Sequence, residues 1–183
     1  MATSLVVLIG VGVLATALRA LGRVRRLVPD AAPLRSALES GDAARIRSAL
    51  AALLSAPDAD AVSAGVLGQA SRPVAIVTVD EHLGDVGREL QEGATLSRTL
   101  PRIAFGAGLF GAVFDVALRG SAGPAAWIHP LESLVAGVVF AGASLEITRR
   151  VTAAEERARS RWDEVGRLLA ARLEAGRASG PPT

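Results

Sequence analysis

Three apolar runs, almost free of charge, alternate with polar stretches along the chain. The first covers residues 1–18 and is followed at once by Arg19, Arg23, Arg25 and Arg26. About 18 residues rising 1.5 Å each just span a hydrocarbon core. A secretory leader carries its positive charge ahead of the apolar stretch, whereas these arginines come after it, so a retained span is expected. The second run, residues 103–118, lies between Arg102 and Arg119 and holds one acid, Asp115. The third, residues 124–148, carries Glu132 near its start and Glu146 near its end, with Trp127 placed as an interfacial anchor. Residues 119–123 predict a tight glycine-containing turn, so the second and third runs read as antiparallel helices.

The polar segments read as helices too. Ile46, Leu50, Leu53 and Leu54 recur at helical spacing within residues 39–57, with Ser40 or Asp42 as N-cap, which predicts one amphipathic helix whose task is packing. A second helix is expected over residues 60–69, ended by Pro73. Residues 74–79 are β-branched, but no other strand signal exists for them to pair with, so helix is expected there as well. The charges Asp80, Glu81, Asp85, Arg88, Glu89 and Glu92 mark a solvated helix over residues 80–100. Beyond Thr148 the chain is rich in Ala, Glu, Arg and Leu, with opposite charges four apart at Glu155/Arg159 and Asp163/Arg167. About 30 helical residues would extend about 45 Å past the bilayer, stopped by Gly176 and the Gly-Pro-Pro ending.

The fold class expected is an all-α integral membrane protein with three transmembrane helices. Its segments are span 1 (1–20), a cytoplasmic helical region (21–101), span 2 (102–119), an outer loop (120–126), span 3 (127–148), a long cytoplasmic C-terminal helix (149–178) and a tail (179–183). Arginines crowd the middle segment and the tail, which places those in the cytoplasm and the N-terminus outside.

Composition narrows the function classes. Half of the 183 residues are hydrophobic and the mean hydropathy is +0.38, more than one soluble core requires. All 20 basic residues are arginine, but the net charge is only +2, so the high pI reflects genome composition and not an electrostatic footprint for nucleic acid. Aromatics make up 3% of the chain and none is Tyr, which removes the stacking platforms of single-strand binders. The absence of Cys excludes disulfides and thiolate chemistry, and His82 and His129 alone cannot build a histidine-rich metal site. With no nucleophile arrangement, metal cluster or phosphate loop, neither an enzyme nor a cofactor is expected.

Small residues mark one face of each of the last two spans. Ala104, Gly108, Gly111 and Asp115 fall at i, i+4, i+7 and i+11, and Ser133, Gly137, Ala141 and Ser144 form a similar stripe. Such faces let helix backbones approach closely in lipid. An ionised acid inside the membrane costs at least ~2.5 kcal/mol, so Asp115 must face protein or water. It is either functional or half of an ion pair with Arg119 at the outer edge. Glu132 is a proton relay, a partner for an arginine of a neighbouring subunit, or a solvated cap on the third span. Glu146 beside Arg149 and Arg150 reads as a surface pair, and His129 as a bystander more than a sensor.

The order of one span, a large helical insertion, two spans and a long tail resembles the MotA/TolQ/ExbB family of proton-channel subunits. Three stretches add to the resemblance: Gly108-Leu109-Phe110-Gly111-Ala112-Val113-Phe114, Gly41-Asp42 ahead of an Ala/Leu helix, and Glu132-Ser133-Leu134-Val135-Ala136-Gly137. The resemblance implies a homo-oligomer, a pentamer, in a bacterial inner membrane. It would surround the spans of a dimeric ExbD-, TolR- or MotB-like partner whose aspartate carries the proton. In that family small polar residues, usually threonines, line the path; the matching positions here hold Ala112 and Gly137. Asp115, Glu132, Ala112 and Gly137 are thus the candidate pore-facing residues, and Ala104, Gly108, Gly111, Ser133 and Ala141 the packing residues. The two departures favour an alternative, a scaffold or anchoring protein that keeps the oligomer but lacks the proton path. An unrelated membrane protein whose cytoplasmic helices dock a soluble partner is a third reading.

Overall fold

The computed structural model describes residues 2–119 and 127–178. The expected outer loop and the tail after residue 178 lie outside the described residues. Among these, all regular structure is helical: α1 (Ala2–Arg26), α2 (Ala32–Ser40), α3 (Ala43–Ala51), α4 (Ala56–Val66), α5 (Arg72–Arg119) and α6 (Ile128–Ala178). Three of them, α1, α5 and α6, are long and apolar enough to cross a membrane. The residues group into two compact units, Met1–Arg25 with Leu90–Glu155, and Arg26–Glu89 with Glu156–Thr183.

The first unit contains α1 and the apolar parts of α5 and α6. Buried positions recur every three or four residues, as in Val6, Gly10, Val13 and Ala17 on α1 and Ala104, Gly108, Gly111 and Asp115 on α5, which is the stripe of a helix facing protein on one side. Its other faces expose Leu8, Val11, Phe110, Val113 and Val139. A continuous apolar exterior of this kind is unfavourable in water and suits lipid. The backbones of α5 and α6 meet at Gly108, where an added Cβ would lie 2.6 Å from the Gly137 Cα. Farther along, Val13, Ala17, Leu100 and Ala104 form an apolar cluster, with Ile9, Phe140, Ala141 and Ile147 packed on it.

Pro101 lies inside α5 and does not end it. The boundary expected at residues 101/102 is therefore a change of surroundings within one helix. A proline has no N–H, so the carbonyl four residues earlier loses its helical partner. That carbonyl belongs to Ser97, and the Thr148 hydroxyl of α6 sits 2.8 Å from it and 2.8 Å from its own Ser144 carbonyl, sharing one hydrogen between them. The third span and the tail are likewise one helix, which runs past Gly176.

The second unit holds α2, α3, α4, the start of α5 and the end of α6. Leu34, Ile46, Leu50, Val62, Val165 and Leu169 are fully or almost fully buried in it. Residues 39–57 do not form one helix. Gly41, in the left-handed region at φ +66°, closes α2, and Asp42 opens α3 by accepting from the Ala44 N–H at 2.9 Å. Helix α4 begins earlier than expected, with Pro57 in its first turn. Pro73 sits in the first turn of α5, where its missing N–H costs nothing, so it starts a helix and breaks none. Residues 74–79 are helical, as expected. Ion pairs Arg47–Asp60 (3.0 Å), Arg161–Glu164 (3.3 Å), Arg35–Glu164 and Arg88–Asp85 lie on the exterior of this unit. The Trp162 indole donates to the Leu27 carbonyl at 2.8 Å.

Candidate functional site

The small-residue stripes of α5 and α6 bring one acid into the interior of the first unit. Asp115 is 4% exposed and its Oδ2 accepts a hydrogen bond from the Ser133 hydroxyl at 3.2 Å. The Thr3 hydroxyl of α1 lies 3.1 Å from the same Ser133 oxygen. A serine hydroxyl has one hydrogen, here given to the carboxylate, so Thr3 is the donor in the second contact. The result is a directed chain, Thr3 to Ser133 to Asp115, that links all three apolar helices. Gly111 makes room for it: a Cβ there would meet the Ser133 Cβ at 3.4 Å and the Val6 side chain at 2.6 Å. Such a chain can stabilise a carboxylate away from water, or pass a proton by reversing each hydroxyl in turn.

Asp115 thus faces protein. The alternative pairing with Arg119 falls on a side chain outside the described residues. Glu132, although next to Ser133, points outwards and lies 3.1 Å from the His129 Nδ1, both side chains about half exposed. Gly137 is enclosed by its contact with Gly108. Ala112 is half-buried on the rim of an apolar groove of about 410 Å³ shared with Val116, Trp127, Leu131 and Leu134. The four candidate pore-facing residues therefore occupy four different surroundings: a buried polar chain, an exposed pair, a helix crossing and an apolar groove. Ala104, Gly108, Gly111, Ser133 and Ala141 all lie at contacts between the helices of this unit.

Two features escaped the sequence reading. Thr3 was one hydroxyl in an apolar run, and its partner lies 130 residues away. The other is an open cleft of about 470 Å³ in the second unit, lined by Arg26, Asp30, His82, Asp85, Glu89 and Trp162 among others. The spacing of His82, Asp85 and Glu89 at i, i+3 and i+7 puts them on one helix face and was a usable signal. The His82 ring stands 5.4 Å from that of Trp162. Among the described residues no group of three His, Cys, Asp or Glu side chains is arranged to hold a metal ion.

The fold and its surface define an α-helical protein with three candidate membrane spans. No family model, curated protein or solved structure matches the chain.

Proposed function

We propose that the chain is an ExbB/TolQ-like subunit of the bacterial inner membrane that oligomerises around the spans of a smaller partner and couples the proton-motive force to work. The observation that carries this reading is Asp115, an acid held among three apolar helices by a hydroxyl chain, since ionisable groups in that position are costly and mark ion pathways. The span order, and the passage of α5 and α6 without a break from apolar to polar surroundings, support it further. In this reading the N-terminus is outside, the helical insertion and the end of α6 are cytoplasmic, and the partner contributes the proton-carrying aspartate.

A second reading is favoured by a specific observation. Gly137 is closed off by Gly108, and Ala112 offers no hydroxyl, so neither position lines a polar path within one subunit. On that reading the protein is a non-conducting scaffold. The two separate in liposomes carrying a pH gradient, with the chain reconstituted together with its single-span partner. A conducting subunit dissipates the gradient, and Asp115→Asn or Glu132→Gln reduces the flux. An intact oligomer without flux leaves the scaffold, and a monomer or dimer by native mass measurement overturns both.

A further inference from the structure

In the second unit, exposed Arg35, Arg45, Arg47, Arg88 and Arg161 pair with acids of the chain, whereas Arg26 and Arg172 pair with no described residue. The first unit holds more unmatched arginines. Arg19, Arg23, Arg25, Arg98, Arg102 and Arg149 are all exposed, and none makes an ion pair or side-chain hydrogen bond to any described residue. Nearby, Arg150 is already matched by Glu146 at 3.0 Å, Glu155 is buried, and Glu92 is the remaining acid of the unit's polar end.

These cations gather at one end of the unit. Arg98 and Arg149 each follow a member of the bonded pair Ser97 and Thr148. Val24 approaches Gly93, and Ala17 clusters with Leu100 and Ala104, so Arg19 and Arg23 flank that pair from α1 and Arg102 from α5. From Arg102 to Arg25 the arginines spread over about 15 Å along the helix axes. They also sit where the apolar exterior ends on every helix: Arg19 follows exposed Leu18, Arg102 precedes exposed Ile103, and Arg149 comes one turn after exposed Leu145.

A ring of unmatched guanidinium groups at the edge of a lipid-facing surface lacks an anion, and the membrane supplies one at that depth. Guanidinium presents a planar fork that fits two phosphate oxygens, and its apolar stem can lie along the exposed leucines while the head reaches the phosphate layer. We propose that this arginine ring binds the phosphates of anionic glycerophospholipids and so gathers them around this end of the spans.

The test uses the full chain in vesicles of mixed phosphatidylcholine and phosphatidylglycerol, with spin-labelled versions of each lipid to compare their association with the protein. Phosphatidylglycerol is expected to be preferred about fivefold, the factor for one basic residue near an anionic surface. The combined variant in which Arg19, Arg23, Arg25, Arg98, Arg102 and Arg149 are all replaced by Gln should bring the ratio close to one, and added salt should lower it in the native chain. Should that variant fail to reconstitute, Arg149→Gln alone is expected to lower the preference part of the way. Arg88→Gln, whose arginine is paired in the second unit, should leave it unchanged. Equal association of the two lipids with the native chain, or a preference that survives the arginine changes, would overturn the proposal. Neither outcome depends on proton conduction, so the reading of function stands or falls separately.

Discussion

Helices of the first unit meet backbone to backbone at Gly108 and Gly137, whereas those of the second meet through Leu34, Leu50, Val165 and Leu169. All the exposed large apolar side chains except Val28, Val74, Ile76 and Val77 belong to the first unit. The difference follows from solvent. In water, burial of leucine supplies the drive to associate; in lipid a leucine gains nothing by leaving the acyl chains, so close fit and hydrogen bonds must hold the helices together. One chain thus solves the same packing problem by two kinds of chemistry.

The contrast can be broken most severely where the two backbones meet. Gly108→Val places a side chain against the backbone of Gly137, which cannot yield, so the variant is expected to lose α5–α6 association at a cost of about 3 kcal/mol or more. Loss of helicity at lower SDS in a detergent titration would show it. Next comes Leu50→Ala, which empties a fully buried site in the second unit and should cost about 3 kcal/mol. The matching deletion in the first unit, Leu109→Ala, removes a side chain that faces outwards and should change stability by under about 0.5 kcal/mol in bilayers. Equal effects of those two deletions would refute the division into water-driven and lipid-driven packing. Tryptophan fluorescence separates them, because Trp162 belongs to the second unit and Trp127 to the first.

A smaller effect is expected at Thr148. Thr148→Val keeps the shape but leaves the Ser97 carbonyl without its donor, for about 1–2 kcal/mol, and Thr148→Ser should restore most of it. The same titration measures both. Smallest of all is Arg47→Ala, which removes a pair whose side chains are each about two-thirds exposed; a shift in urea midpoint worth more than about 0.5 kcal/mol would contradict the view that such pairs contribute little.

The apolar runs made the three long helices legible from sequence, and Asp42 was legible as a cap because its side chain acts on a backbone two residues away. What could not be read depended on distant partners. The charge at Arg102 suggested a boundary, yet the helix runs on through it and through Pro101, because Thr148, 47 positions after Pro101, supplies the bond that the proline removes. The hydroxyl that satisfies Asp115 lies 18 residues on, in another helix, so spacing alone left Arg119 as an equal claimant. In residues 39–57 the apolar period begins only at Ile46, so it carried no sign of the break at Gly41, where the glycine's left-handed backbone divides α2 from α3. Pro33 and Pro57 were present as openers of α2 and α4 and would have improved both starts.

The contact of Gly108 with Gly137 and that of Ser97 with Thr148 are 11 residues apart on both helices, three full turns each way. Two fasteners at matched intervals fix the register of an antiparallel pair: sliding α5 along α6 by a single residue would undo both together. Any axial movement of one of these helices must therefore take the other with it.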